Sequence, residues 1–171
     1  MPIQRLNHAV LYVRDADRSA AFYESVLGFT RLDMGGMKGA AFMRAPGSTN
    51  DHDLGLFGIG EGAGPTTAGR SSVGLYHLAW EVDTLDELER IEGVLGANGA
   101  LVGASDHGTT KALYAHDPDG IEFEVSWLVP ADLITEDATA GKSTIRPLDI
   151  AKEKARYGGT TRGGVGVSVP A

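Results

Sequence analysis

The chain repeats itself. Leu6-Asn7-His8, with Val13 five residues beyond its histidine, is matched by Leu75-Tyr76-His77, with Val82 five residues on. Each copy then runs through a helix-like stretch into Val-Leu-Gly, at Val26-Leu27-Gly28 and at Val94-Leu95-Gly96. The two histidines stand 69 residues apart and the two glycines 68, so the spacings differ by one residue. Ordered self-similarity constrains a fold more than any single motif, because each copy has to be one supersecondary unit. Two such halves place a histidine on each of two opening strands.

The pattern between these anchors predicts the units. Leu6 to Val13 alternates as a half-buried strand should, with Leu6, His8, Val10 and Tyr12 on one face and Asn7, Ala9, Leu11 and Val13 on the other. Asp15 or Asp17 caps a helix whose apolar stripe is Ala21, Phe22, Ser25 and Val26, and Gly28 ends it. Phe29 to Leu32, Gly39 to Met43 and Asp53 to Phe57 read as three short strands. Residues 58–72 hold five glycines and a proline and read as a linker. The second copy has a strand over Leu75 to Val82 and a capping box at Thr84-x-x-Glu87. Its helix has Leu85, Leu88, Ile91 and Leu95 on one face and closes at Gly96. Strands follow at Leu101-Val102, Ala112 to Ala115 and Ile121 to Trp127, the last after the tight turn Asp117-Pro118-Asp119-Gly120.

The fold class expected is therefore α+β. Two βαβββ modules, residues 1–58 and 73–129 joined by the linker 59–72, form a U-shaped mixed sheet that is concave where they pair. Residues 130–171 form an arm with a short helix near Leu148 to Tyr157. It is expected to lie on the protein or on a partner subunit, in a homodimer, and to fray at its end.

Composition removes several function classes. A net charge of -8 is unsuited to nucleic acid or an anionic membrane surface. The chain has no cysteine, so thiolate metal sites, disulfides and cysteine nucleophiles are excluded and any metal must be held by nitrogen and oxygen. No secretory leader and no apolar run approaching the ~20 residues of a membrane span is visible, which makes the cytoplasm the expected compartment.

Strand parity then sorts the polar residues. Glu122, Glu124 and Ser126 share one face of the last strand, and Ile121, Phe123, Val125 and Trp127 share the other. If the apolar side packs on the helices, the carboxylates face the concave side, where His8 and His77 can also point. Two imidazoles and one carboxylate make a facial triad suited to iron(II), manganese or zinc. An enclosed Glu124 would be costly to keep charged without a cation. Glu122 shares its face, so a ligand assignment shifted by one repeat stays open. Trp80 and Trp127 have the opposite parity and read as core.

On these residues the chain resembles the vicinal oxygen chelate superfamily, whose members pair βαβββ modules around a metal; the resemblance covers about residues 5 to 128. It implies His8, His77 and Glu124 as metal ligands. His52-Asp53-Leu54-Gly55-Leu56 resembles the histidine motif of type I extradiol catechol dioxygenases, in which that histidine handles protons beside the metal without binding it. Asp106-His107-Gly108, Leu113-Tyr114 and the Asp117 to Gly120 turn resemble the same family's second histidine and its tyrosine. The resemblance thus implies His52, His107 and Tyr114 as catalytic residues, iron(II) or alternatively manganese(II) as cofactor, and an aromatic diol with dioxygen as substrates. Glyoxalase relatives would want a fourth ligand on the last strand of the first half, where Asp53, Leu54, Gly55 and Leu56 stand, with Asp53 opposite in parity to His52. Three other chemistries remain open: an isomerase or epimerase acting through an enediolate, a manganese-dependent thiol transferase, and a metal-free drug-binding protein of the bleomycin-resistance type.

Overall fold

The computed structural model describes residues 2–3, 5–69 and 71–164. They form two compact units, one of Met1–Thr67 with Asp117–Gly120, the other of Ala68–His116 with Ile121–Ala171. The first contains β1 (Ala9–Val13), α1 (Ala16–Leu27), β2 (Thr30–Leu32), β3 (Ala40–Arg44) and β4 (Leu54–Gly58). Its sheet runs β1-β4-β3-β2, with β1 parallel to β4 and the other pairs antiparallel. The second repeats this with β5 (Leu78–Glu81), α2 (Leu85–Ala97), β6 (Leu101–Asp106), β7 (Thr110–His116) and β8 (Glu122–Leu128). There β5 is parallel to β8, in the order β5-β8-β7-β6. The architecture is α+β with two mixed sheets, built on the βαβββ unit twice.

Each helix starts and stops where the side chains demand. Asp15 accepts from the Asp17 and Arg18 amides at 2.8 and 2.9 Å, and Gly28 takes the left-handed conformation (φ 70) that closes α1. Thr84 caps α2 by accepting from Glu87 N at 3.3 Å, while the Glu87 carboxylate is engaged by Arg90 rather than closing the box. Leu85, Leu88, Ile91 and Leu95 are all buried, as their spacing predicts. The face of α1 is turned by one residue from the expected stripe: Ser19, Ala20, Tyr23 and Val26 are buried, while Ala21 and Ser25 face outward. Tyr23 decides this, because its ring fills the core and its hydroxyl reaches Asp117 at 3.4 Å.

One sheet face in each unit is apolar. Leu11, Val13, Met43, Leu54 and Leu56 line it in the first, and Leu113, Phe123, Val125 and Trp127 in the second. Val10 and Tyr12, of the same parity as His8, are exposed. The opening strands are shorter than their alternation suggests. Leu6, Leu75 and Tyr76 lie outside them and are exposed, because the parallel partners begin only at Leu54 and Glu122. Trp80 is half-buried rather than core, whereas Trp127 is fully buried.

The arm lies on its own second unit. It passes through α3 (Glu136–Ala140), adds β9 (Arg146–Pro147) to the edge of β6, and forms α4 (Ile150–Tyr157) against α2. Lys154 bridges to Asp86 and Glu89 of α2 at 2.7 and 2.5 Å, and Trp127 Nε1 donates to Thr161 O at 3.2 Å. The expected fraying end, residues 165–171, falls outside the described residues. No helix among the described residues is long and apolar enough to cross a membrane.

Candidate active site

In the second unit four of the candidate residues meet. His77 immediately precedes β5, and Glu124 sits mid-way along β8 opposite Ala79. His77 Nε2 lies 3.3 Å from Glu124 Oε2, and its Nδ1 lies 3.6 Å from Glu122 Oε1. The structure thereby separates the two carboxylates that parity left together: Glu124 faces one ring nitrogen and Glu122 the other. His116, exposed, reaches the far oxygen of Glu122 at 3.8 Å.

Tyr114 pairs directly across the ladder with Glu124. Burial, then the Glu124 charge and a hydrogen bond to that carboxylate, push the phenol up to about 12, so it stays a proton donor at neutral pH. Its oxygen is 3.0 Å from His107 Nε2. His107 Nδ1 stands 2.9 Å from the Thr144 carbonyl, which can only accept, so Nδ1 carries the proton.

The first unit brings two more together. The rings of His8 and His52 are 4.4 Å apart at 33°, and Phe42 meets His52 edge-on at 5.2 Å. His8 Nδ1 is 2.7 Å from Asn7 Oδ1, which leaves Nε2 as its outward nitrogen; His52 Nδ1 is 3.1 Å from Asp51 Oδ2. Asp53 turns the other way, buried, and accepts from Ala45 N, Ser48 Oγ and Asn50 Nδ2 at 2.7–2.8 Å to hold the β3–β4 turn. A cavity of about 370 Å³ opens beside Phe42, walled also by Met34, Met37 and Ala40.

The two units have diverged at equivalent places. Val10, two residues past His8, pairs with Gly55; Ala79, two past His77, pairs with Glu124. Phe42 faces Gly55 across β3–β4, and Tyr114 faces Glu124 across β7–β8. Gly55 therefore occupies the place of Glu124, and Phe42 that of Tyr114, so the first unit offers no carboxylate there.

The donors present fit a divalent cation of the kind that prefers nitrogen and oxygen. Two ligand bonds of ~2.1 Å at about 90° place their donor atoms about 3 Å apart, close to the His77–Glu124 separation. Asn7 on His8, and Glu122 on His77, stand where a metal-bound imidazole wants an acceptor for its other nitrogen. Among the described residues no group of three or more His, Asp and Glu side chains is gathered as a cluster that could hold a metal ion.

Sequence reasoning missed Lys111. Its side chain is 1% exposed and reaches Asp106, Glu153 Oε2 at 3.0 Å and Gly108 O at 3.1 Å. Starting β7 at Thr110 instead of Ala112 puts a lysine on the apolar parity of Leu113 and Ala115, and that mismatch was the available signal. Thr144 and Glu153 had none, since the arm has no counterpart in the repeat.

Comparison with known proteins agrees with this architecture. The chain is 31% identical over 121 residues to a catechol-2,3-dioxygenase of Bacillus subtilis (strain 168), a match covering 70% of this chain and 40% of that protein. The chain thus corresponds to less than half the length of that relative. A glyoxylase/bleomycin resistance protein/dioxygenase domain from Frankia sp. EAN1pec superposes with a TM-score of 0.61 at 25% identity, over 73% of this chain and 92% of that one. A glyoxalase/dioxygenase from Nostoc punctiforme superposes at 0.58 with 26% identity, over 72% and 90%. With residues 5–125 also matching the family's sequence profile, the chain belongs to the glyoxalase/bleomycin resistance protein/dioxygenase superfamily, the vicinal oxygen chelate proteins.

Proposed function

We propose that this protein is an extradiol dioxygenase that opens a catechol-like ring with iron(II), His8, His77 and Glu124 serving as the ligands. The observation that carries the reading is Tyr114, its hydroxyl 3.0 Å from His107 Nε2 and its strand position paired with Glu124, with Glu124 3.3 Å from His77. Donors of ligand type and a proton-handling pair thus adjoin on one sheet face. The 31% identical catechol-2,3-dioxygenase supports the same reaction class. Gly55, in the place of a second carboxylate, suits a three-ligand centre with positions left for a chelating diol. Manganese(II) is served by the same donors.

Iron bound there would supply Lewis-acid activation of the two diol oxygens and electron transfer to dioxygen. The chain's own groups do the rest. His52, stacked beside His8 and backed by Asp51, takes the proton from a diol hydroxyl and returns it later. Tyr114, its hydroxyl hydrogen-bonded to His107 Nε2, orients a reacting oxygen of the substrate. Phe42 presents an apolar wall beside His52, and the cavity it borders has room for a ring substituent.

Anaerobic loading with iron(II), followed by oxygen uptake on a panel of catechols, tests the reading. Uptake of one dioxygen per diol with a yellow ring-fission product is expected. No uptake by iron-loaded protein across the panel would refute it. His52→Phe should keep its iron and lose roughly 10²-fold or more in kcat, the usual scale of general acid–base catalysis. If it loses iron instead, His52 is a ligand and its assigned role is wrong.

A further inference from the structure

The C-terminal arm does more than cover an edge. Thr144 O takes the Nδ1 proton of His107 at 2.9 Å, which leaves the Nε2 lone pair facing Tyr114 at 3.0 Å. The loop that carries His107 is clamped at both ends. Asp106 Oδ1 accepts from Gly108 N at 2.8 Å and from Lys111 Nζ, and Lys111 also binds Gly108 O and, across the core, Glu153 of α4. Arm and loop then touch glycine to glycine. A Cβ on Gly141 would stand 2.9 Å from Gly108 Cα, and one on Gly108 would run into Ala138 O and stand 2.9 Å from Gly141 Cα. Such an approach admits no side chain on either partner.

We propose that the arm is a working part of the site: the Thr144 carbonyl fixes His107 in its Nδ1–H tautomer, and Lys111, Glu153 and the Gly108–Gly141 contact are the positioning elements that keep the carbonyl in place. The consequence is chemical. With Nε2 unprotonated, the single Tyr114 hydroxyl proton stands between two acceptors, His107 and the Glu124 carboxylate. When Glu124 is engaged by a cation, the hydroxyl turns to His107, and its oxygen lone pairs are presented to the substrate in one orientation. Without the arm either ring nitrogen could carry the proton, and that orientation would be lost. The inference rests on the reading of His107 and Tyr114 as substrate-side groups, but its test does not need turnover.

The test is the protonation state of the His107 ring in metal-free protein labelled with 15N-histidine, read by long-range 1H–15N correlation. The Nδ1–H tautomer is expected in the unaltered chain; an Nε2–H or averaged ring there overturns the proposal with no variant needed. Gly141→Ala has an ordinary backbone (φ -70) and wedges arm from loop. It should convert the His107 signals to an averaged pair while cobalt(II) affinity stays within twofold. Glu153→Gln, which loosens the clamp from the far side, should move the ring the same way to a smaller extent. A ring that stays Nδ1–H in both folded variants overturns the proposal. On an active catechol, Gly141→Ala should lower kcat roughly 10- to 100-fold, less than the 10²–10⁴-fold of losing an acid–base group outright, with KM within about twofold. If no catechol is turned over but the ring responds as stated, the function reading fails and the arm's control of His107 stands.

Discussion

Replacing Lys111 by methionine tests how the second unit is held together. The substitution keeps the length of the side chain and removes its charge. Lys111 is 1% exposed and its partners Glu153 and Asp106 are 5% and 16% exposed, so the change leaves two carboxylates turned toward one apolar space with no cation. Removing one partner of a buried ion pair costs about 3–5 kcal/mol, a large fraction of the 5–15 kcal/mol by which domains are stable. At a urea dependence of ~2 kcal/mol/M the unfolding midpoint should fall by about 2 M. Lys111→Met/Glu153→Gln removes the second charge as well and should recover at least ~2 kcal/mol of that loss, a coupling typical of residues in one network. The pH dependence has a definite sign. Burial alone would raise the Asp106 carboxyl, but hydrogen bonds from Lys111 and Gly108 N and the charges of Lys111 and Arg146 outweigh it and hold it below its usual value. A depressed carboxyl contributes stability above its unfolded pKa of 3.8 and loses it as pH falls through the lower folded value. The gap between wild type and Lys111→Met should therefore be widest at neutral pH and narrow below about pH 4. A cost under ~1 kcal/mol at pH 7, or a double variant no more stable than the single one, would refute this account.

Two further expectations concern Tyr114 and Asp119. Ultraviolet titration of metal-free protein should show Tyr114 ionising at about 12, with buried Tyr23 and Tyr157 also raised above the ordinary phenol value, and stability should decline as pH rises above 10. Glu124→Gln, or cobalt(II) bound at Glu124, should bring Tyr114 down by removing the carboxylate's charge; a phenol unmoved by either would mean Glu124 is neither its neighbour nor a ligand. Asp119 accepts from Arg14 N and Nη1 and from Arg18 Nη2 at 2.7–2.8 Å, with its own side chain 6% exposed. The arginines are partly solvated, so Asp119→Ala should cost about 2 kcal/mol rather than the full value of three charged hydrogen bonds, lowering Tm by roughly 4–8 °C. A shift within about 1 °C would show the turn is not anchored through this carboxylate.

The parts legible in the sequence were those governed by local periodicity. The stripe Leu85, Leu88, Ile91 and Leu95 appears in full, and the alternation of Phe123, Val125 and Trp127 against Glu122 and Glu124 holds residue for residue. The buried face of α1 differs from the sequence stripe because Phe22 and Tyr23 are both large. Which of them turned inward depended on Asp117, a partner 94 residues away for the Tyr23 hydroxyl. Strand starts differ for the same kind of reason, since Leu6 and Leu75 fit the alternation but have no partner strand beside them. In the candidate site, residue types and faces could be read; hydrogen-bond partners could not. Nothing in the arm's composition connects Thr144 to His107 or Glu153 to Lys111, because a backbone carbonyl has no sequence signature and a buried lysine becomes conspicuous only once the strand containing it is fully assigned.

The repeat matters most where it fails. Duplication supplies one histidine per unit at equivalent points, and an unmodified second copy would also supply matching residues opposite them. Instead Glu124 with Tyr114 stands in one unit where Gly55 with Phe42 stands in the other. A Cβ at Gly55 would meet Val10, Phe42 and Phe57 only at 3.4–3.7 Å, so glycine is not forced there by crowding. Its effect is to withhold a donor. The second unit carries a carboxylate and a phenol at these places, and the first a glycine and an apolar ring, with His52 beside His8. Under the proposed function, a divalent centre with a single carboxylate would keep net positive charge and unfilled positions, as binding and activating a neutral diol requires. Duplication accounts for the equivalent histidines, and the proposed chemistry depends on the difference between Gly55 with Phe42 and Glu124 with Tyr114.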